Sequence, residues 1–154
     1  MKEKLYSLTF DIDWAPDFVI EDCLNLVDEY GVKATFFATH HSDLHSEIVG
    51  RGHTLGIHPN FLPNSSHGSK VEEVIEFCLS LVPSAWCMRT HGLVQSTRLF
   101  YEIFSNFPQL TLDISLFMHR VPHVQRTLWD FYGVKFDRIL YNWEDDAEIS
   151  KQRF

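Results

Sequence analysis

The chain has 154 residues, 45% of them hydrophobic and 14% aromatic, the length and composition of one globular domain with a sizeable core. A formal net charge of −8, with Lys and Arg scattered rather than striped, argues against nucleic acid or an anionic membrane as partner. No stretch approaches the roughly 20 apolar residues of a membrane span. Met1-Lys2-Glu3-Lys4 runs into a strand pattern without a signal-peptide apolar region, so a cytoplasmic protein is the expectation.

In chain order, Leu5 to Phe10 reads as a strand and Asp17 to Tyr30 as a helix with apolar Val19, Leu24, Leu26 and Val27, stopped by Gly31. Val32 to Ala38 is a second strand. Ser42 caps a short helix to Val49, ended by Gly50. His53 to His58 is a third strand, and Pro59 to Ser69 a polar, turn-rich loop. Val71 to Leu81 is a helix, Ala85 to Met88 a fourth strand, Ser96 to Asn106 a helix and Leu110 to Leu112 a fifth strand. Thr127 to Tyr132 is weakly helical, and Ile139 to Trp143 reads as a sixth strand. Strands alternating with helices predict a parallel α/β fold. Cys23, Cys78 and Cys87 form no CxxC pair and read as buried free thiols.

Polar residues gather just after the strands: Asp11 and Asp13, His40 and His41, His58, Arg89 and His91, Asp113, and Glu144 to Asp146. In a β/α barrel that end of the sheet carries the site. Aspartate plus two histidines suits zinc or another divalent metal with an open position for water, and Asp11 or Asp13 with His58 and the loop residue His67 offers that set. Plainer readings stand beside these. A strand-ending aspartate is often a helix cap, although Asp17 is the better cap here. Ser65-Ser66-His67-Gly68 also reads as a polar turn, His53 as a buried hydrogen-bonded histidine, and Glu144-Asp145-Asp146 as a solvated loop. The abundant Phe and Trp, Trp143 included, either fill the core or line a sugar-binding groove.

At these residues the chain resembles the polysaccharide deacetylase family of metal-dependent carbohydrate esterases. Thr9-Phe10-Asp11-Ile12-Asp13 is similar to the family's first motif, with one residue between the aspartates, and Lys33-Ala34-Thr35-Phe36-Phe37 to its second strand. Gly52 to His58 resembles the approach to its first histidine ligand. Met88-Arg89-Thr90-His91-Gly92 resembles its arginine motif, and Asp113-Ile114-Ser115-Leu116 a later strand of some members. His58 to His67 also resembles a branch associated with surface-polysaccharide gene clusters. Two departures stand out. Leu62 occupies the usual position of the second histidine, which makes His67 the substitute, and no histidine follows His123 to match the family's last motif.

The resemblance implies a distorted, incomplete parallel β/α barrel formed by a single domain over 1–154 that lacks its C-terminal strands. It implies Asp13, His58 and His67 as ligands of a divalent metal, Zn²⁺ first among them. Asp11 would be the general base with Arg89 as its partner, and His91, Asp113 and Trp143 would contact substrate. The implied reaction removes an N- or O-linked acetyl group from a carbohydrate. Two alternatives stay open: a weak or inactive relative that keeps fold and metal site, and a hydrolase of a non-sugar C–N bond. An open sheet edge would also favour a homo-oligomer.

Overall fold

Each strand of this chain is short and must gain its hydrogen bonds from a neighbour reached through a helix, which dictates parallel pairing. The computed structural model describes residues 7–115. Along them run β1 (Leu8–Asp11), α1 (Asp17–Glu29), β2 (Ala34–Ala38), α2 (His45–Gly50), β3 (Thr54–Ile57), α3 (Val71–Leu81) and β4 (Cys87–Met88). A single 3₁₀ turn (His91–Leu93), α4 (Thr97–Asn106) and β5 (Leu112–Asp113) follow. The five strands lie in one sheet in the order β1-β2-β3-β4-β5, every neighbouring pair parallel. With its helices it is the curled half of an α/β barrel, as expected. The stretch Thr127 to Tyr132, the strand Ile139 to Trp143 and the loop Glu144 to Asp146 lie outside the described residues.

The helices are laid on the sheet by apolar stripes. In α1 the buried residues are Ile20, Leu24 and Val27, spaced to share one face, whereas Val19 and Leu26 are exposed. The stripe is thus rotated from the one read in the sequence. Asp17 also differs from expectation. It is the first helical residue rather than the cap, and its carboxylate accepts from Ser42 Oγ at 2.6 Å. Ser42 lies ahead of α2, which starts only at His45, and its hydroxyl accepts from Leu44 N at 3.1 Å. Ser96 caps α4 by accepting from Leu99 N. Gly31, at φ +64°, turns the chain out of α1 where a side chain would be strained. The fifth strand falls at Leu112–Asp113, shifted toward the C-terminus from the expected Leu110–Leu112. Leu110 instead packs fully buried in the core.

The core between sheet and helices joins Ile20, Leu24, Phe36, Ile48, Ile57, Ile75, Met88, Phe100 and Ile103. Phe10 and Phe36, register partners on β1 and β2, stack at 4.9 Å between ring centroids. Period-2 alternation sends Phe37 to the opposite face, where it is also fully buried. Its register partner is Gly56. A Cβ at Gly56 would come within 2.8 Å of the Phe37 ring and of Cys87 Sγ, so only glycine fits beneath that ring.

Candidate metal centre

The ladder hydrogen bonds continue past the strand ends into the polar segments. Ile12 N donates to Phe37 O, His58 N to Ala38 O at 2.8 Å, Arg89 N to Ile57 O and Ile114 N to Met88 O. His91 N donates to Pro59 O. Four segments distant in sequence, those after β1, β3, β4 and β5, are thereby pinned at the carboxyl end of one sheet, where a β/α barrel builds its site.

Three of the pinned side chains converge. Asp13 Oδ1 lies 3.2 Å from His58 Nε2 and 2.9 Å from His91 Nδ1, and the two nitrogens are 3.3 Å apart. Ligands at about 2.0–2.1 Å from a tetrahedral zinc stand about 3.3–3.4 Å from one another. The donor set Asp13, His58 and His91 therefore fits a divalent metal in both chemistry and spacing.

His58 is buried, and its Nδ1 donates to the carbonyl of Arg89 at 2.6 Å. That bond leaves the Nε2 lone pair facing the cluster, the arrangement by which a neighbouring carbonyl orients a metal-binding imidazole. Burial lowers the pKa of His58 from its ordinary value, against the pull of Asp11 and Asp13, so the neutral ring is favoured.

Asp13 reaches the cluster through an uncommon backbone. Asp13 and Trp14 both have positive φ, +47° and +58°, and Gly92 and Leu93, just after His91, are at +64° and +54°. Left-handed conformations cost non-glycine residues on the order of 1–3 kcal/mol and tend to cluster at functional sites. Trp14 N donates to Thr39 Oγ1, which helps hold the first turn.

Asp11 and Arg89 form the adjoining pair. Arg89 Nη1 donates to Asp11 Oδ1 at 3.1 Å, reaching from the end of β4 to the end of β1. The guanidinium is fixed further by Nε donating to Ile114 O and by lying over the Phe37 ring, 5.1 Å from its centroid. Asp11 Oδ1 is also 3.8 Å from His58 Nδ1, which puts this carboxylate beside the cluster without entering it.

His67 stands apart from the three, contrary to the ligand set read from the sequence. Its Nε2 donates to Thr39 O at 2.8 Å, and its Nδ1 accepts from Asn60 N at 3.1 Å, so both ring nitrogens are engaged. The ring is buried, stacked against Phe77, and burial lowers its pKa. It fastens the loop after β3 to the end of β2. His91, expected to touch substrate, takes the third place in the cluster instead.

Asp113 also departs from expectation. It has no exposed surface and binds Ser115 through both oxygens, to the hydroxyl at 2.5 Å and to the backbone N–H at 3.0 Å. Ser115 Oγ in turn accepts from Thr90 N at 2.8 Å. Asp113 thus braces the Arg89–His91 segment from beneath and cannot meet a substrate. Burial pushes its pKa up to about 7. Trp143 lies outside the described residues.

His53 is the buried, bonded histidine that the sequence suggested, accepting from Ala34 N and pairing with Asp28. Cys78 and Cys87 are buried free thiols with pKa raised to about 12 by burial. Trp14 was missed by the sequence reading. Its ring centroid lies 5.2 Å from that of His91 and 5.5 Å from that of His67. Its place directly after Asp13 was the available signal.

A parallel half-barrel with a carboxylate–imidazole cluster and an Arg–Asp pair at its carboxyl end defines the class. A family model described as "WbmS-like: Polysaccharide deacetylase" matches residues 8–154, and the chain belongs to that family. It is similar to a crystal structure from Bordetella bronchiseptica described as a candidate polysaccharide deacetylase involved in O-antigen biosynthesis. The identity is 41% and the TM-score 0.62, over 69% of this chain and 44% of that one. The chain thus spans less than half the length of that relative. Among curated proteins none matches. No helix among the described residues is long and apolar enough to cross a membrane.

Proposed function

We propose that the protein is a metal-dependent hydrolase that removes an acetyl group from a carbohydrate, with Asp13, His58 and His91 holding the metal and Zn²⁺ the favoured ion. The observation that carries this reading is the convergence of Asp13 Oδ1, His58 Nε2 and His91 Nδ1 at 2.9–3.3 Å beside the Asp11–Arg89 pair. Family membership supports the carbohydrate substrate.

When bound, the metal supplies a water of lowered pKa and polarises the acyl carbonyl. Everything else falls to the chain. Asp11, adjoining the cluster, accepts the proton of the attacking water. Arg89 aims that carboxylate by a charge-assisted bond and is itself fixed by Ile114 O and Phe37. The Arg89 carbonyl orients His58. The water oxygen joins the acyl carbon, the acyl C–N or C–O bond breaks, and the leaving nitrogen or oxygen takes up the proton that Asp11 accepted from the water.

The test is acetate release from N-acetylated and O-acetylated oligosaccharides by protein stripped with chelator and reloaded with Zn²⁺ or Co²⁺. Activity should disappear on stripping and return on reloading. Asp11→Asn should keep the metal and lose turnover, since an amide cannot accept the proton. Acetate release that survives chelation, or full turnover by Asp11→Asn, would sink the proposal.

A further inference from the structure

We propose that Trp14 is the stacking platform on which a pyranose ring of the substrate rests beside the Asp13–His58–His91 cluster. The proposal rests on the carbohydrate reading above and adds the residue that orients the sugar.

The side chain is in the wrong place for a core residue. Trp14 is 40% exposed, while Ile12, two residues earlier, is 4% exposed and belongs to the core. A large residue at φ +58° is strained, and nothing in hydrophobic burial accounts for keeping it there. The local backbone directs the indole to the rim of the cluster instead.

The indole is also held rather than loose. Its backbone N–H is tied to Thr39 Oγ1 at 2.9 Å. Two imidazoles flank the ring, His91 at an interplanar angle of 78° and His67 at 46°. Both are themselves pinned, His91 by Asp13 and His67 by Thr39 O and Asn60 N. A ring fixed this way is pre-organised and loses little freedom when a ligand covers it.

The chemistry selects the ligand. One face of a pyranose presents axial C–H groups of slight positive charge, and the π face of indole is slightly negative. An equatorial acetamido or acetoxy group projects from the edge of such a ring, not from its face. A sugar lying on Trp14 therefore sends its acyl group sideways across the rim of the platform. The cluster stands at that rim, His91 centroid 5.2 Å from the indole. Binding and presentation of the scissile bond then come from one contact, as positioning requires.

The experiment uses the full chain loaded with Zn²⁺ and an array of N-acetylated oligosaccharides built from gluco-, galacto- and uronic-acid sugars. The tightest binder is then titrated calorimetrically against wild type, Trp14→Ala and Trp14→Phe. Trp14→Ala should weaken binding by about tenfold or more, and Trp14→Phe should recover most of the loss. Metal content should be equal in all three. Unchanged affinity in Trp14→Ala overturns the platform and leaves the hydrolase reading intact. Loss of metal from Trp14→Ala also overturns it, because the ring would then serve the metal loop. A wild type that binds metal but no sugar of the array overturns it as well. Trp14-dependent sugar binding without any hydrolysis upholds the platform and removes the hydrolase reading.

Discussion

Arg89 and His58 are joined through the backbone: the Arg89 carbonyl oxygen lies 2.6 Å from His58 Nδ1, while the Arg89 side chain holds Asp11 at 3.1 Å. One residue thus orients the imidazole proposed as a metal ligand with its main chain and the proposed base with its guanidinium. The two tasks are separable by mutation, because substitution removes only the second. Arg89→Met should retain stoichiometric metal and lower acetate release by about 10- to 100-fold. Metal analysis and turnover measured on the same preparation check this, and joint loss of both would show that the side chain also supports the cluster.

The roles of His91 and His67 divide sharply. His91→Ala removes one of three converging donors and should abolish stoichiometric metal binding at neutral pH. His67→Ala strips partners from Thr39 O and Asn60 N and should lower stability by about 1–3 kcal/mol while metal is still bound. Elemental analysis and denaturant unfolding of both variants decide the matter. Retained metal in His91→Ala with loss in His67→Ala would reverse the assignment.

Gly56→Ala should destabilise through overpacking. The added methyl would lie 2.7 Å from Cys87 O and 2.8 Å from the Phe37 ring. Phe37 also carries the Arg89 guanidinium, so relief by moving the ring would disturb that contact. A loss of about 1–3 kcal/mol is expected, read as a lowered midpoint in thermal or urea unfolding. A midpoint equal to wild type would show that the inner face has slack.

Asp113 predicts a pH signature. Its folded pKa is raised by burial to about 7, above the ordinary carboxylate value of 3.8. Between those values the folded state binds a proton that the unfolded state has released, so this group's contribution is full below pH 3.8 and is lost as pH rises through 7. Asp113→Asn cannot titrate. The stability of wild type relative to Asp113→Asn should therefore fall by up to about 1.4 kcal/mol per pH unit across that window and level off above it. Urea unfolding of both proteins from pH 4.5 to 8 measures the difference. A flat difference would mean that the buried carboxyl does not hold its proton.

Much of the fold was legible because the pattern is local. Strands ending in polar residues and helices with apolar stripes gave a parallel α/β fold with Asp11, Asp13, His58, Arg89 and His91 at one end, and the family resemblance added the incomplete barrel. That Arg89 needs a partner also followed, since it is a charge ending an apolar strand, and the resemblance pointed to Asp11, the partner it has. What did not follow depends on how loops turn. His67 sits nine residues beyond His58, and its ring was claimed by Thr39 O and Asn60 N, partners no spacing rule announces. His91 sits in a 3₁₀ turn with left-handed Gly92 and Leu93, tied by its N–H to Pro59 O, an arrangement no spacing rule announces. Asp113 ends a strand like the others, yet Ser115 folds back over it and closes it from solvent. The α1 stripe was misread because Val19 and Leu26 have the right chemistry at the wrong angle.

Thr39 belongs to none of the recognisable motifs, yet it fastens two of them. Its hydroxyl receives the Trp14 N–H and its carbonyl receives His67 Nε2, so the turn after β1 and the long loop after β3 share one anchor at the tip of β2. Grafting only the segments that carry Asp13, His58 and His91 onto another barrel would leave both loops untethered. A transplant of this centre has to carry Thr39 with it, and a threonine-to-valine exchange there should loosen the Trp14 turn while sparing the His67 tether. That makes Thr39 the position at which mobility of one rim of the site can be adjusted without rewriting any of its chemistry.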